Sequence, residues 1–441
     1  METPTFPKTS TPEQTRPGRE GEAVPARRRG WWDERLDLEG FRKKYLRKAF
    51  PVHPTFFLGE IALFSFVVLV LTGIYLAFAY EPSARIITVD GLSAPAAYHS
   101  VLQIDKQAFG LIVRQVHHWS AHLMIASAFL HLLRIFFMGA YRRPREINWL
   151  IGCLLLIFSV FAAFSGYLLP YDEFAVTATG IGYGIVASIP WVGQALADFF
   201  FGGKFPALGT VPRFYGYHVM LLPLILLALL AAHMLIMLKQ KHTEPFWNRG
   251  RVEPGKLLGI PLWPQQAALM AVLFLLMVSG LLLLASTFPV HPVEVYGPPG
   301  PQTPPVKPDW YFLWVYGLLK LIPGWMEFRL WGGSINPEVI GGVLLPGLMV
   351  LLLILFPFFE RSQGPQHYLE RPSERPGRTA LGVAALALLV VLSAAGYEDV
   401  LQVPLQVFRW AALIVPPVSG AIAYAILAHV GRRRRREAYR F

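Results

Sequence analysis

Cysteine is nearly missing from this chain: one residue, Cys153, in 441. It lies within an apolar run, so a disulfide framework and Cys-rich zinc or iron–sulfur sites are excluded. A covalent Cys-x-x-Cys-His haem attachment is excluded for the same reason. Charge is also sparse, with Asp, Glu, Lys and Arg at 15%, where soluble globular proteins carry about 25%. Hydrophobic residues reach 54% and mean hydropathy is +0.43. These values define an all-α, polytopic membrane protein rather than a soluble domain. Acidic residues are the scarcer sign, 28 against 40 basic, for a net charge of +12. The basic residues cluster at the ends of apolar runs, which the positive-inside rule explains better than nucleic-acid binding, so no nucleic-acid partner is expected. Residues 1–50 are polar and basic with no apolar signal core, so no cleavable signal peptide is expected.

Apolar runs of membrane-spanning length occupy about 56–79, 110–138, 148–169, 214–238, 264–288, 339–359, 379–396 and 405–430. Residues 180–205 are apolar but Gly-rich and broken at Ile189–Pro190–Trp191. They read as interfacial helices, since counting them as a ninth span would place the C-terminus outside. The basic clusters Arg142/Arg143/Arg145, Lys239/Lys241/Arg249/Arg251, Arg361/Arg371/Arg375/Arg378 and Arg432 to Arg436 alternate with loops holding Glu81, Asp90, Asp172, Glu173, Glu398 and Asp399. Eight transmembrane helices with both termini cytoplasmic put every basic cluster inside. The expected division is a basic cytoplasmic extension with a surface helix over 1–50, the helix itself over Phe41–Lys48. A four-helix bundle over 51–250, further spans over 251–400, and a last span with a basic tail over 401–441 complete it. Pro-rich residues 289–308 read as an ordered outer loop or linker between the first four spans and the rest.

Four histidines carry the chemistry. His117 and His131 are 14 residues apart in one run, and His218 and His233 are 15 apart in another. On an α-helix, 14 residues return to within ~40° of the start after about 21 Å, and 15 to within ~60° after about 22 Å. Two such helices side by side offer two facing histidine pairs, one near each edge of a hydrocarbon core ~30 Å thick. Two stacked, bis-histidine-ligated haems require that arrangement. Gly59 and Gly73, and Gly152 and Gly166, are also 14 apart, matching two levels at which a flat macrocycle approaches a helix backbone. Ordinary small-residue helix packing is the bland alternative. Arg114, one turn before His117, suits a haem propionate or a snorkelling interfacial role. His118 follows His117 but points ~100° away, and His122 has no counterpart at matching depth in the other histidine helix. His53, His99, His242, His291, His367 and His429 fall near span ends or in loops and read as solvated or interfacial.

At these residues the chain resembles a known family. Arg114–Gln115–Val116–His117–His118–Trp119–Ser120–Ala121, with His131 and Arg134, is similar to the second helix of cytochrome b, the membrane subunit of quinol:cytochrome c and quinol:plastocyanin oxidoreductases. Pro144–Arg145–Glu146 with Trp149, Gly166–Tyr167–Leu168–Leu169–Pro170, and Arg213–Phe214–Tyr215 with His218 follow in family order. Pro308–Asp309–Trp310–Tyr311 resembles the family's Pro-Glu-Trp-Tyr loop. The resemblance covers roughly residues 35–400.

The resemblance implies that His117 and His218 hold a low-potential b haem near the outer side, and His131 and His233 a high-potential one near the cytoplasm, both non-covalent. The four glycines pack the haems. Pro308, Asp309, Trp310 and Tyr311 form the quinol-oxidation pocket. Quinol gives one electron to a Rieske iron–sulfur protein and one, across both haems, to quinone at the inner face, adding to the proton gradient. A c-type cytochrome, membrane lipid and a homodimeric complex in a bacterial cell membrane are implied with it. Asp309 stands where the family usually has Glu; a carboxylate still suits proton acceptance, and a loop helix cap is the bland reading. The 15-residue histidine spacing is like the plastoquinol branch, while the single eight-span chain is like the mitochondrial branch. Other functions compatible with the residues are a quinone-linked dehydrogenase anchor, a transmembrane ferric reductase, or a proton-coupled transporter using intramembrane histidines. His242 and Lys239 sit at plausible depth for an inner quinone site.

Overall fold

The computed structural model describes residues 46–300, 306–360 and 364–438, with Trp31, Arg35 and residues 37–41 ahead of them. The chain divides into Met1–Lys48 and Ala49–Phe441. Within the first unit, Leu38–Phe41 forms one helical turn. The basic surface helix expected over Phe41–Lys48 falls largely outside the described residues.

The hydrocarbon layer offers the backbone no hydrogen-bond partner, so apolar runs of about 20 residues must satisfy themselves as helices. Eight such helices are present among the described residues: α1 Leu58–Ala79, α2 Gly110–Phe137, α3 Glu146–Tyr167, α4 Thr210–Gln240, α5 Leu262–Thr287, α6 Pro337–Phe359, α7 Pro376–Ala395 and α8 Leu405–Arg434. The segment expected to lie at the interface forms two shorter helices, Glu173–Ala187 and Gly193–Phe201. At 15 and 9 residues neither has spanning length.

The first four spans form a bundle in which α1 packs on α2, α2 on α3 and α3 on α4. Its apolar clusters lie on the flanks. Val68 and Val116 meet Met277, Leu281 and Ala285 of α5. Leu132, Phe136, Trp149 and Cys153 meet Leu353, Ile354 and Phe356 of α6. The last spans close on Leu318, Leu321, Val391, Leu392, Ala395 and Phe408. Inside the bundle two cavities lie along its length, with Phe66, Met124, Ser159 and Leu226 in the walls of both.

One local departure from α geometry matters. Tyr217–Leu221 is a π-turn inside α4, closed by the Leu222 N–H to the Tyr217 carbonyl. Pro223 lies just beyond it, where it cannot donate to an ordinary helical bond. A π-turn takes up one extra residue without advancing the helix face. The 15-residue interval from His218 to His233 therefore covers the same number of turns as the 14-residue intervals opposite it.

The bundle end carrying the basic loops is tied together by buried ion pairs. Arg142 Nη1 donates to Glu370 Oε1 at 2.7 Å and Arg378 Nη1 to Glu370 Oε2 at 2.7 Å. Arg378 also reaches Glu360 at 3.3 Å, and the Tyr141 hydroxyl donates to Glu360. These bonds join the α2–α3 loop to the α6–α7 connection. At the opposite, acidic end, Gln115 exchanges bonds with the backbone of Val290, 3.2 Å to its carbonyl and 2.6 Å from its N–H, which fastens the segment after α5 over α2.

Candidate functional site

Each glycine singled out in the sequence faces one of the four histidines. A Cβ added at Gly73 would stand 3.3 Å from the His117 ring, and one at Gly166 2.5 Å from that of His218. At the other level the distances are 3.2 Å from Gly59 to His131 and 3.5 Å from Gly152 to His233. The two glycine helices, α1 and α3, thus bracket the two histidine helices, α2 and α4, at two depths.

The acidic-end pair is set for metal ligation. The ring centroids of His117 and His218 are 6.0 Å apart at 71°. Two metal–imidazole bonds of about 2 Å each, plus the ring radii, span about that distance. Thr72 donates its hydroxyl to the Val68 carbonyl at 2.7 Å, which leaves its oxygen to accept from His117 Nδ1–H at 2.8 Å. His218 Nδ1 is 2.9 Å from the Ala162 carbonyl, an acceptor only, and 3.1 Å from Ser165 Oγ. Both rings thereby carry hydrogen on Nδ1 and keep the Nε2 lone pair for a metal.

At the basic-end level, His131 Nδ1, His233 Nδ1, and Arg134 Nε and Nη2 are buried with no partner. Arg134 lies over the Phe56 ring, 3.9 Å from its centroid. Imidazole donors, a nearby guanidinium with unused nitrogens, and glycine where a side chain would block the approach together fit a haem at each level.

The two levels open into separate cavities. The basic-end one is about 700 Å³ and is lined by Gly59, His131, Gly152 and His233. The acidic-end one is about 360 Å³, and Gly73, His117, Gly166 and His218 share its walls with Asp309 and Tyr311. The Pro308–Tyr311 loop, remote in sequence, thus borders the same space as the first histidine pair.

Within that loop the Tyr311 hydroxyl donates to Asp309 Oδ2 at 2.6 Å. Burial, and then the Asp309 carboxylate beside it, push the Tyr311 phenol well above its ordinary pKa range, so it stays a donor. Asp309 caps no helix: the following helix Leu313–Leu321 has no side-chain cap. Trp310 is exposed, and its indole N–H donates to His122 Nδ1 at 3.2 Å.

Arg114 lines the acidic-end cavity, and its guanidinium is committed. Nε and Nη2 each donate to Asp105 at 2.6 Å, and Nη1 to the His291 carbonyl at 3.2 Å. A propionate at Arg114 would share that cation with Asp105.

Sequence reading missed the polar cluster around Asp309. His118, His122 and Asp309 bring one ligand atom each within 4.8 Å of one another. His118 stacks on His122 at 5.0 Å and faces His291 at 6.2 Å. His291, expected to be solvated or interfacial, keeps its side chain only 8% exposed and bonded through Nε2 to Asp172 at 2.6 Å; it packs on Phe174 and Tyr296. His99, read in the same way as solvated or interfacial, is 6% exposed. The i, i+4 spacing of His118 and His122 was the available signal, but the partner comes from a loop, not from the second histidine helix. Glu60, the acidic residue inside the first apolar run, was the other signal.

An eight-span bundle that sets two levels of paired imidazoles against paired glycines, inside a membrane-length core, defines the class of haem-bearing membrane electron carriers. The cytochrome b (N-terminal)/b6/petB family profile matches residues 122–298 and the cytochrome b (C-terminal)/b6/petD profile residues 300–415. The cytochrome bc1 complex cytochrome b subunit of Streptomyces coelicolor is 35% identical over 430 residues, covering 92% of this chain and 78% of that protein. The subunit of the same name from Mycobacterium tuberculosis is 37% identical over 419 residues, covering 89% and 75%. A solved hyperthermophilic respiratory Complex III aligns with a TM-score of 0.66 at 24% identity, over 90% of this chain and 99% of that one, a likeness of fold. The chain belongs to the cytochrome b family.

Proposed function

We propose that this chain oxidises quinol at the acidic end of its four-helix bundle and passes electrons through two b-type haems to quinone at the basic end. As a respiratory cytochrome b it is a subunit of a quinol:cytochrome c oxidoreductase and acts within a complex. A dehydrogenase anchor, a ferric reductase and a transporter are set aside by that membership. The observation that carries the reading is the shared cavity of His117, His218, Asp309 and Tyr311.

His117 and His218 hold one haem, with Gly73 and Gly166 against it, and His131 and His233 the other, with Gly59 and Gly152. When bound, these groups supply single-electron transfer between the two levels. Thr72 and the Ala162 carbonyl make the first pair of imidazoles stronger donors, which favours the oxidised iron and a lower potential. The Arg134 guanidinium beside the second pair would favour the reduced iron there. With haems bound, that asymmetry between the residues of the two levels would favour electron flow from the acidic end to the basic end.

In the quinol pocket, Asp309 accepts a proton, Tyr311 orients that carboxylate, and Trp310 holds His122 beside it. Pro308 shapes the entrance. Arg114 balances charge at the cavity mouth through its pairing with Asp105. The second electron of each quinol needs another acceptor, because one buried cysteine excludes a cluster in this chain. A Rieske iron–sulfur protein and a c-type cytochrome fill that place, in a homodimeric complex. The positive-inside pattern supports a bacterial cell membrane with both termini and the basic end in the cytoplasm.

The test is a reduced-minus-oxidised spectrum of the purified complex, followed by quinol-driven haem reduction. Two b-type signals with separated midpoints, both reducible by quinol, are expected. One signal would unseat one histidine pair, and haems indifferent to quinol would unseat the function.

A further inference from the structure

Glu60 has no place in the reading above. It is the acidic residue of α1, in the helix's first turn. A carboxylate there is favoured by the helix dipole, and a solvent-facing first turn would serve that purpose. Glu60 is instead part of the wall of the basic-end cavity. Ionisable groups inside membrane helices are costly and mark function by default.

That cavity holds more than a haem site. It is about 700 Å³, against about 360 Å³ around the other histidine pair. Beyond the level of His131 and His233 it continues to Phe50, Leu262, Gln266, Lys241 and His242. Gln266 is 3% exposed and its buried Oε1 has no hydrogen-bond partner among the described residues. A polar amide atom with nothing to bond, in the wall of a largely apolar cavity, points to a ligand with a polar head and an apolar body. The charged or titratable groups on the elements around Glu60 are Arg134, Arg145, Tyr141, Lys241 and His242, besides the ligand histidines His131 and His233.

We propose that Glu60 is the proton donor to quinone in this inner cavity; the inference rests on the reading of that cavity as a quinone-reduction site. Reduction of one quinone takes two electrons, delivered singly by the proposed electron path, and two protons, one on each carbonyl oxygen. The Glu60 carboxyl O–H breaks as its proton bonds to one quinone oxygen. The carboxylate left behind is reprotonated from water at the basic end, past Lys241 and His242. The second quinone oxygen takes its proton from the same water. Gln266 orients the head group and transfers nothing.

The test uses the intact complex carrying Glu60→Gln or Glu60→Asp, with a short-chain naphthoquinone as the probe. Spectra first establish that both haem signals persist. Reoxidation of the inner haem by the probe is then followed against pH, and quinol-driven haem reduction is followed separately with the inner cavity blocked by an inhibitor. Glu60→Gln is expected to slow reoxidation at least tenfold and to flatten its pH profile, leaving the quinol-driven step within twofold. Glu60→Asp restores part of the rate and the pH dependence. Reoxidation by Glu60→Gln at the wild-type rate and pH profile overturns the assignment, as does equal slowing of both steps. Should Glu60→Gln lose a haem signal, Glu60→Asp decides: a haem-replete variant with a wild-type rate despite its shorter arm overturns the proposal, and a slowed rate with a shifted pH profile upholds it. Failure of the wild-type complex to reoxidise with any quinone overturns the cavity's reading itself, a result distinct from an indifferent Glu60.

Discussion

Gly166 and His218 are the tightest of the four glycine–histidine contacts: a methyl group on the Gly166 Cα would lie 2.5 Å from the His218 Cε1. No real Cβ tolerates that approach, so either the ring or α3 must move. Of the other three, Gly59 at 3.2 Å and Gly73 at 3.3 Å are tighter than most real Cβ contacts, and only Gly152 at 3.5 Å has ordinary van der Waals room.

A graded series follows. Gly166→Ala is expected to lose most of the acidic-end haem, because displacing His218 breaks its bond to the Ala162 carbonyl and misaligns Nε2. Gly59→Ala and Gly73→Ala retain haem with shifted midpoints, and Gly152→Ala, with the most room, is closest to wild type. Haem content per chain and redox titration of the four variants check the order. Equal loss in all four would show that the glycines serve helix packing rather than the ligand rings.

Thr72→Val removes the acceptor for His117 Nδ1–H while keeping the side-chain shape. A weaker imidazole donor stabilises the oxidised iron less, so the midpoint of the acidic-end haem should rise. A tenfold change in the oxidised-to-reduced preference corresponds to about 59 mV for one electron, and a rise of that order or somewhat less is expected. The basic-end midpoint should stay in place, since neither His131 nor His233 bonds Thr72. Potentiometric titration of the two signals separates the outcomes.

Asp309→Asn keeps the size of the side chain and removes its proton affinity. Loss of a general base typically costs about 10²–10⁴-fold, so quinol-dependent turnover should fall by a factor in that range with both haem signals intact. Tyr311→Phe leaves the carboxylate in place without its 2.6 Å donor and should cost less, perturbing the pH profile more than the maximal rate. Steady-state turnover against pH for both variants tests this, and unchanged turnover in Asp309→Asn would remove the residue from the proton path.

The Glu370 cluster makes a pH-dependent contribution to stability. Burial pushes the Glu370 carboxyl up, but Arg142 and Arg378 outweigh burial and hold it below its usual 4.5. A depressed carboxyl stabilises the fold above its unfolded pKa, and that stabilisation is lost as pH falls through the folded value. Glu370→Gln leaves the buried Arg142 guanidinium without a carboxylate and Arg378 with Glu360 alone, a loss of about 3–5 kcal/mol for a broken buried pair. Apparent thermal midpoints in detergent should therefore differ most near neutral pH and converge only in acid, as pH falls below the usual carboxyl value of 4.5 and through the depressed folded one. A difference independent of pH would place the cluster's contribution in packing rather than charge.

The eight spans were legible because hydrocarbon permits little else: apolar runs of membrane length must become helices, and the charges between them set the loops. The His117/His131 and glycine intervals were legible for a related reason, since a 14-residue repeat on a helix keeps one face. The interval from His218 to His233 was legible only as one face within ~60°; the π-turn that Pro223 favours, which absorbs its extra residue, is announced by no periodicity. His118, His122, His291 and Asp172 around Asp309 were hidden more deeply. They come from α2, the α3–α4 segment and the chain after α5, and only the closing of these elements over one end brings them together.

By itself the sequence determined the membrane class, the number of crossings, the two depths of histidine and the four glycines, because all of these depend on spacing along single helices, where geometry is local. The tertiary structure alone decided which glycine faces which histidine, that Asp309 borders the first histidine pair, that Arg114 is spoken for by Asp105, and that Glu60 joins the wall of the basic-end cavity. Those relations depend on how helices rotate and pack against one another, and that is a balance of many side-chain contacts distributed along the whole chain.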